Sequence, residues 1–247
     1  MNPIESAVIE ANLERVHREI ERAAQVSGRA ASDVRLLVVT KAQPLQKILD
    51  AYAAGARLFG ENYPEETESK IEATRHLPGI EWHMIGHLQS RKARIVAQHF
   101  TMLHSLDSLR LAQKLDRQLA EVGRSLPVLL EVNISGEDTK GGFPAWDTEQ
   151  WLAQMPEIAS ILELPHLSVR GLMTMPPYLE ESEKVRPYFQ RMRGLREALR
   201  RQFPRAAWDE LSMGTSVDYQ VAIEEGATYV RIGTAIVGPR PPRQPAG

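Results

Sequence analysis

Apolar residues at Ile4, Val8, Ala11, Val16, Ile20 and Ala24 recur at close to helical spacing, with charges between them. That pattern predicts an amphipathic N-terminal helix over residues 4–26. The period then changes. Arg35-Leu-Leu-Val-Val-Thr-Lys41 is a short, β-branched apolar run ending in a charge, the signature of a buried strand. Pro44 suits the first turn of a following helix, with Leu45, Ile48 and Leu49 at its apolar positions. The alternation continues. Further strands are expected at Arg57–Gly60, Glu81–Ile85, Thr101–Ser105, Val128–Ile134, Ser168–Thr174, Glu210–Met213 and Tyr229–Ile232. Charged, helix-length stretches such as Asp107–Val122, Asp147–Ile161 and Glu180–Phe203 lie between them.

Strands alternating with helices predict an α/β protein with a parallel sheet. No Gly/Ser or Pro-rich linker and no charge run divides the chain, so residues 1–238 are expected to form one domain. The chain has 247 residues, and a barrel of eight βα units takes about 250. The expected fold is therefore a (β/α)8 TIM barrel with an extra N-terminal helix; a doubly wound open sheet is the alternative. Residues 239–247 are Pro-rich and expected to be a disordered tail.

Composition narrows the function. A formal net charge of -2 supplies no global basic field for nucleic acid or an anionic membrane. The absence of cysteine removes disulfides, thiolate metal sites and a cysteine nucleophile together. The first residues lack the basic and apolar regions of a signal peptide, and no apolar run approaches the ~20 residues that span a bilayer. A cytoplasmic monomer without nucleic-acid or membrane partners is expected.

In a barrel of this kind chemistry sits at the C-terminal ends of the strands. Lys41 closes the first strand. If it points inward, Leu37 and Val39 do too, while Leu36, Val38 and Thr40 face the helices. Poor solvation there favours the neutral amine that attacks carbonyls; a lysine that reaches back to water is the plainer reading. The seventh strand ends Leu211-Ser-Met-Gly-Thr-Ser216 ahead of a helix expected over Val217–Glu225. The eighth ends Arg231-Ile-Gly-Thr234. Loops of small residues after strands 7 and 8 form a recurrent phosphate site, although Ser and Thr also simply cap helices. Arg231 shares the parity of Gly233 and should enter the barrel beside Lys41. Two such cations are costly without an anion. A phosphate-bearing aldehyde would balance them; a salt bridge from Arg231 to Glu131 or Glu210 is the alternative. Asn62 and Asn133 could bond a ligand hydroxyl or serve turns. His83 and His87 lack the glutamate of a zinc motif.

At these residues the chain resembles the pyridoxal phosphate homeostasis proteins of the YggS/PROSC type. The stretches that carry the resemblance are VVTKAQP around Lys41, LFGENYPEE at 58–66, EWHMIGHLQSRKAR at 81–94, LHSLDS at 103–108, VLLEVNISGEDTKGGF at 128–143, GLMTM at 171–175 and LSMGTSVDYQVAIEEGATYVRIGTAIVG at 211–238. The resemblance implies a barrel similar to the N-terminal domain of alanine racemase, with pyridoxal 5′-phosphate (PLP) as cofactor. It implies that Lys41 forms an internal aldimine and that Arg231 faces the pyridine nitrogen. Ser212, Met213, Gly233 and Thr234 would fall in the phosphate-binding segments, and Asn62 near the ring. Thr40, Ala42 and His87 depart from residues common in the family. An arginine at the pyridine nitrogen weakens PLP as an electron sink. The expected role is thus vitamin B6 homeostasis without robust catalysis, with PLP-dependent apo-enzymes as recipients. The alternatives are a weak amino-acid racemase and an aldolase that uses Lys41 without PLP.

Overall fold

The computed structural model describes residues 3–240. Strand β1 (Arg35–Val39) is followed by β2 (Leu58–Glu61), β3 (Glu81–Met84), β4 (Met102–Leu106) and β5 (Leu126–Asn133). A two-residue strand β6 (Phe143–Pro144) precedes β7 (Leu167–Met173), β8 (Glu210–Ser212) and β9 (Tyr229–Ile232). Pairing runs β4-β3-β2-β1-β9-β8-β7-β5, and a further β4–β5 ladder closes the ring. The pairs are parallel. The expected eight-stranded barrel is the fold; β6 pairs only with β5, outside the ring. It was not legible in the sequence, because two residues carry no period.

Helices join successive strands and cover the barrel: α2 (Leu45–Ala53), α3 (Pro64–Thr74), α4 (Ala93–His99) and α5 (Leu109–Val122) in the first half. The second half has α6 (Thr148–Ala153), α7 (Met155–Leu162), α8 (Arg186–Gln202), α9 (Tyr219–Glu224) and α10 (Thr234–Val237). The stretch expected as one helix over 147–161 is two, with Pro156 opening the second.

The N-terminal helix α1 (Pro3–Val26) forms as expected, but its stripe is differently phased. Ile9, Leu13, Val16, Ile20, Ala23 and Ala24 are buried, whereas Ile4 and Val8 are exposed. The stripe packs on the two short helices after β8 and β9. Asn12 donates to the Ile236 carbonyl at 3.0 Å and Arg15 to that of Ala235 at 2.9 Å. Tyr219 donates its hydroxyl hydrogen to Glu19. The extra helix therefore buttresses the loops that border the site.

One bulge adjusts the barrel. The β5–β7 register shifts at Arg170, from Val128↔Val169 to Leu129↔Gly171. Gly171 takes φ +153 there, and a Cβ would lie 1.9 Å from the Glu210 carbonyl oxygen, so only glycine fits. No helix among the described residues is long and apolar enough to cross a membrane. Of the Pro-rich tail, Pro239 and Arg240 belong to the described chain, where Gln43 donates to the Pro239 carbonyl at 3.2 Å. The rest, 241–247, lies outside the described residues.

Candidate functional site

The C-terminal ends of β1, β2, β3, β5, β7, β8 and β9 and the loops after them enclose a cleft of about 510 Å³. Lys41 enters it because its predecessor is clamped outward. The Thr40 amide donates to the Gly60 carbonyl at 3.1 Å. Its hydroxyl donates to Glu61 Oε1 at 2.8 Å, and its carbonyl accepts from Lys70 Nζ at 3.0 Å. With Thr40 turned to α3, Lys41 points the other way, as strand alternation requires. The turn is tight: Gln43 donates its amide to the Thr40 carbonyl, and Ala42 sits at φ 56, in the left-handed region. Among the described residues the Lys41 ammonium has no hydrogen bond or ion pair. Burial, with Arg240 and Arg231 nearby, holds its pKa below the ordinary lysine value; Glu61 opposes this.

Arg231 is the cleft floor. Its Cα pairs with that of Leu37 across the β1–β9 ladder, which sets both inward. It is 4% exposed. It donates to Ser212 Oγ at 2.6 Å, to the Thr174 carbonyl at 2.9 Å and toward Met175 Sδ at 2.9 Å. None of these partners is charged. Glu210 instead pairs with Arg35, and Glu131 stands on the cleft wall without a salt bridge to Arg231. The carboxylate alternative is therefore not what the fold built. Burial lowers the guanidinium pKa to about 10, with Asp218 and Glu131 opposing, so it stays charged at neutral pH. Burial and Asp107 raise the Glu131 carboxyl to about 7, against Arg231 and His87.

Asn62 follows β2 and reaches the cleft. Its Oδ1 is buried and has no hydrogen-bond partner among the described residues. Gly86 makes room: a Cβ there would lie 2.6 Å from the Asn62 Cα. Gly214 at φ +93 sends the chain after β8 across α9, where a Cβ would meet that of Ala222 at 2.6 Å. Asp218 Oδ1 tightens this loop by accepting from the Thr215 amide at 2.6 Å and its hydroxyl at 3.0 Å. The amides of Ser216, Val217, Thr234 and Ala235 find no acceptor among the described residues. They border the cleft at two helix starts, an arrangement that favours anions.

Curated relatives and solved structures resemble this chain closely. The alanine racemase N-terminal domain model matches residues 11–241. A pyridoxal phosphate homeostasis protein of Vibrio alginolyticus is 43% identical over 235 residues, 94% of this chain and 97% of the relative. The protein of that name from Escherichia coli K12 is 42% identical over 234 residues, 93% of this chain and 95% of the relative. This chain belongs to the pyridoxal phosphate homeostasis protein family. PipY of Synechococcus elongatus, solved without PLP, is 37% identical with a TM-score of 0.77, covering 89% of this chain and 99% of its own. The PLP-bound form of PipY is 36% identical with a TM-score of 0.76, covering 89% of this chain and all of its own (100%). An alanine racemase of Clostridium difficile, at 15% identity and a TM-score of 0.68, shares the fold.

Against that family background, five of the seven expected site residues meet in the cleft: Lys41, Asn62, Arg231, Gly233 and Thr234. Ser212 and Met213 do not line it. Ser212 lies beneath, fully buried under Arg231, and Met213 is buried in the core between barrel and helices. Successive residues of a strand face opposite ways, so both could not have pointed inward. Thr215 and Ser216, two and three residues further on, line the cleft in their place. Asn133 instead ties its own loop, accepting from the Ser135 and Gly136 amides at 3.2 and 3.0 Å. His87 and Tyr178 also reach the cleft while His83 faces the barrel interior; His87 and Tyr178 sit on loops, where no period announces direction.

Proposed function

We propose that this chain binds PLP reversibly through Lys41 and serves intracellular PLP homeostasis, holding the cofactor without robust catalysis of its own. One observation carries the reading. Among the described residues, a single cleft gathers a lysine without a partner, a buried arginine hydrogen-bonded only to neutral groups, and a buried amide oxygen without a bond. Unmatched buried cations are costly until an anion arrives. The residues therefore fit a small anion that also bears an aldehyde, and PLP supplies both a phosphate and a carbonyl that a primary amine captures reversibly. PipY, a relative, has been solved with PLP bound.

Lys41 would hold the aldehyde carbon, its lowered pKa enlarging the neutral fraction at a given pH. Ser216, Gly233, Thr234 and the free amides beside them would hold the phosphate, and Asn62 would bond a ring substituent. Met213 would contribute main chain only, and Ser212 would act through Arg231. Arg231 would face the pyridine nitrogen. Its pKa of about 10 keeps it a donor there, so the nitrogen stays unprotonated and carbanion chemistry is damped. A cleft built by one chain, acting as a monomer, suits release to apo-enzymes.

A weak racemase is the second reading, favoured by Tyr178, which lines the cleft and could supply a second base. Two measurements decide. Purified protein with PLP should show a visible absorbance band that borohydride fixes on the Lys41 peptide and that Lys41→Ala abolishes. Persistence of the band in that variant would refute the assignment. Incubation with L-amino acids in deuterated water should give no Cα exchange at enzyme-like rates; exchange at such rates establishes the racemase instead.

A further inference from the structure

Below Arg231, inside the barrel, runs a column of polar side chains that never reaches the cleft. Ser212 Oγ accepts from Arg231 Nη1 and lies 2.8 Å from His104 Nδ1. His104 Nε2 lies 3.0 Å from His83 Nδ1. His83 Nε2 faces Glu81 Oε2 at 3.8 Å, at the opposite mouth of the barrel. His104 is 0% exposed and His83 2%. Such a chain in a dry interior has to be complete, because a broken link leaves a buried polar atom unpaired.

The two ends dictate its direction. Arginine only donates and an ionised carboxylate only accepts. Ser212 spends an oxygen lone pair on Arg231, so its own hydrogen goes to His104 Nδ1. His104 then carries its proton on Nε2 and donates to His83 Nδ1. His83 in turn carries its proton on Nε2, toward Glu81. The reverse polarity would strand the Ser212 hydrogen and aim a histidine lone pair at a carboxylate. The charged and titratable groups around the rings are Arg35, Glu81, Tyr229 and Arg231. Tyr229 meets both imidazoles edge-on, and Arg35 lies 3.9 Å above its ring. Burial is the largest cause that lowers both histidine pKa values; at His83 Glu81 opposes it and Arg35 adds to it, and at His104 the neighbouring His83, Arg231 and Arg35 add to it.

We propose that Ser212, His104 and His83 form a directional hydrogen-bond column that positions the Arg231 guanidinium at the cleft floor, with both histidines neutral and protonated on Nε2. All three are positioning residues. The effect on cofactor rests on the PLP reading above; the column itself does not.

The test has two arms. Nitrogen-15 imidazole spectra of the cofactor-free protein, assigned with His83→Gln and His104→Gln, should show two neutral Nε2–H rings that do not titrate between about pH 5.5 and 8.5. A ring that titrates in that range, or one protonated on Nδ1, overturns the column. His104→Phe, measured well below its own melting temperature so that the chain is folded, should release PLP about tenfold faster than the parent and move its absorption maximum. Equal release and an unmoved band would refute the positioning role and leave PLP binding intact. A parent protein that shows no cofactor band would refute the PLP reading, while the imidazole spectra still judge the column.

Discussion

Glu131 offers a quantitative test of the electrostatics at the cleft. Burial and Asp107 raise its carboxyl from 4.5 to about 7. Each tenfold change in proton affinity is worth about 1.4 kcal/mol, so the ionised form costs the native state about 3 kcal/mol. The sign follows from linkage. Between the two values the native protein binds a proton that the unfolded chain does not, so stability falls as pH rises from 4.5 to about 7. Below 4.5 both states are protonated and no cost exists. Above about 7 both are ionised and the whole cost is present. Glu131→Gln puts a neutral amide in the same volume at every pH. Without cofactor, the variant should match the parent near pH 4.5 and exceed it by about 2–3 kcal/mol at pH 8. For a chain of this size that is a rise of roughly 4–6 °C in melting temperature. Thermal or urea unfolding of both proteins at the two pH values measures it. An equal difference at both pH values, or none at pH 8, would refute the assignment of the cost to a desolvated carboxylate.

Two backbone positions give sharper structural tests. Gly86→Ala sets a Cβ 2.6 Å from the Asn62 Cα; an overpacked backbone contact costs about 1–3 kcal/mol, and equilibrium unfolding should register it along with weaker PLP retention. Ala42, at φ 56 beside Lys41, tolerates glycine but not a β-branched residue. Ala42→Gly should leave stability within about 0.5 kcal/mol, whereas Ala42→Val should lose about 1–2 kcal/mol. Equal melting temperatures for those two variants would show that the turn relaxes freely.

The alternation of eight strands with helices is legible in the sequence and favours a barrel over an open sheet; the β4–β5 pairing supplies the closure. Eight apolar runs, separated by charged helix-length stretches, need only local periodicity to be seen, and all eight expected strands fall within two residues of the observed ones at each end. The first was expected over Arg35–Lys41, and β1 stops two residues short, at Val39, because Thr40 turns to α3. Parity along β1 and β9 also placed Lys41 and Arg231 in one interior, and small residues after β8 and β9 marked the proposed anion site. The phase of α1 is not legible in the sequence, because Ile4 and Val8, which are exposed, fit a helical period as well as the buried Ile9 and Leu13 do. Only the barrel's closure could say which side it met.

Tertiary structure alone decided the rest. Ser212 and Met213 are neighbours in sequence, yet one supports Arg231 and the other fills the core, because a strand sends them to opposite faces. Glu210 is spent on Arg35, which leaves Arg231 with neutral partners. His83 and His104 stand on adjacent strands and touch only once β3 pairs with β4. Periodicity records which face a residue takes; it carries no information about which residue from another strand faces it. That is set by register and closure, which bring together side chains far apart in the chain.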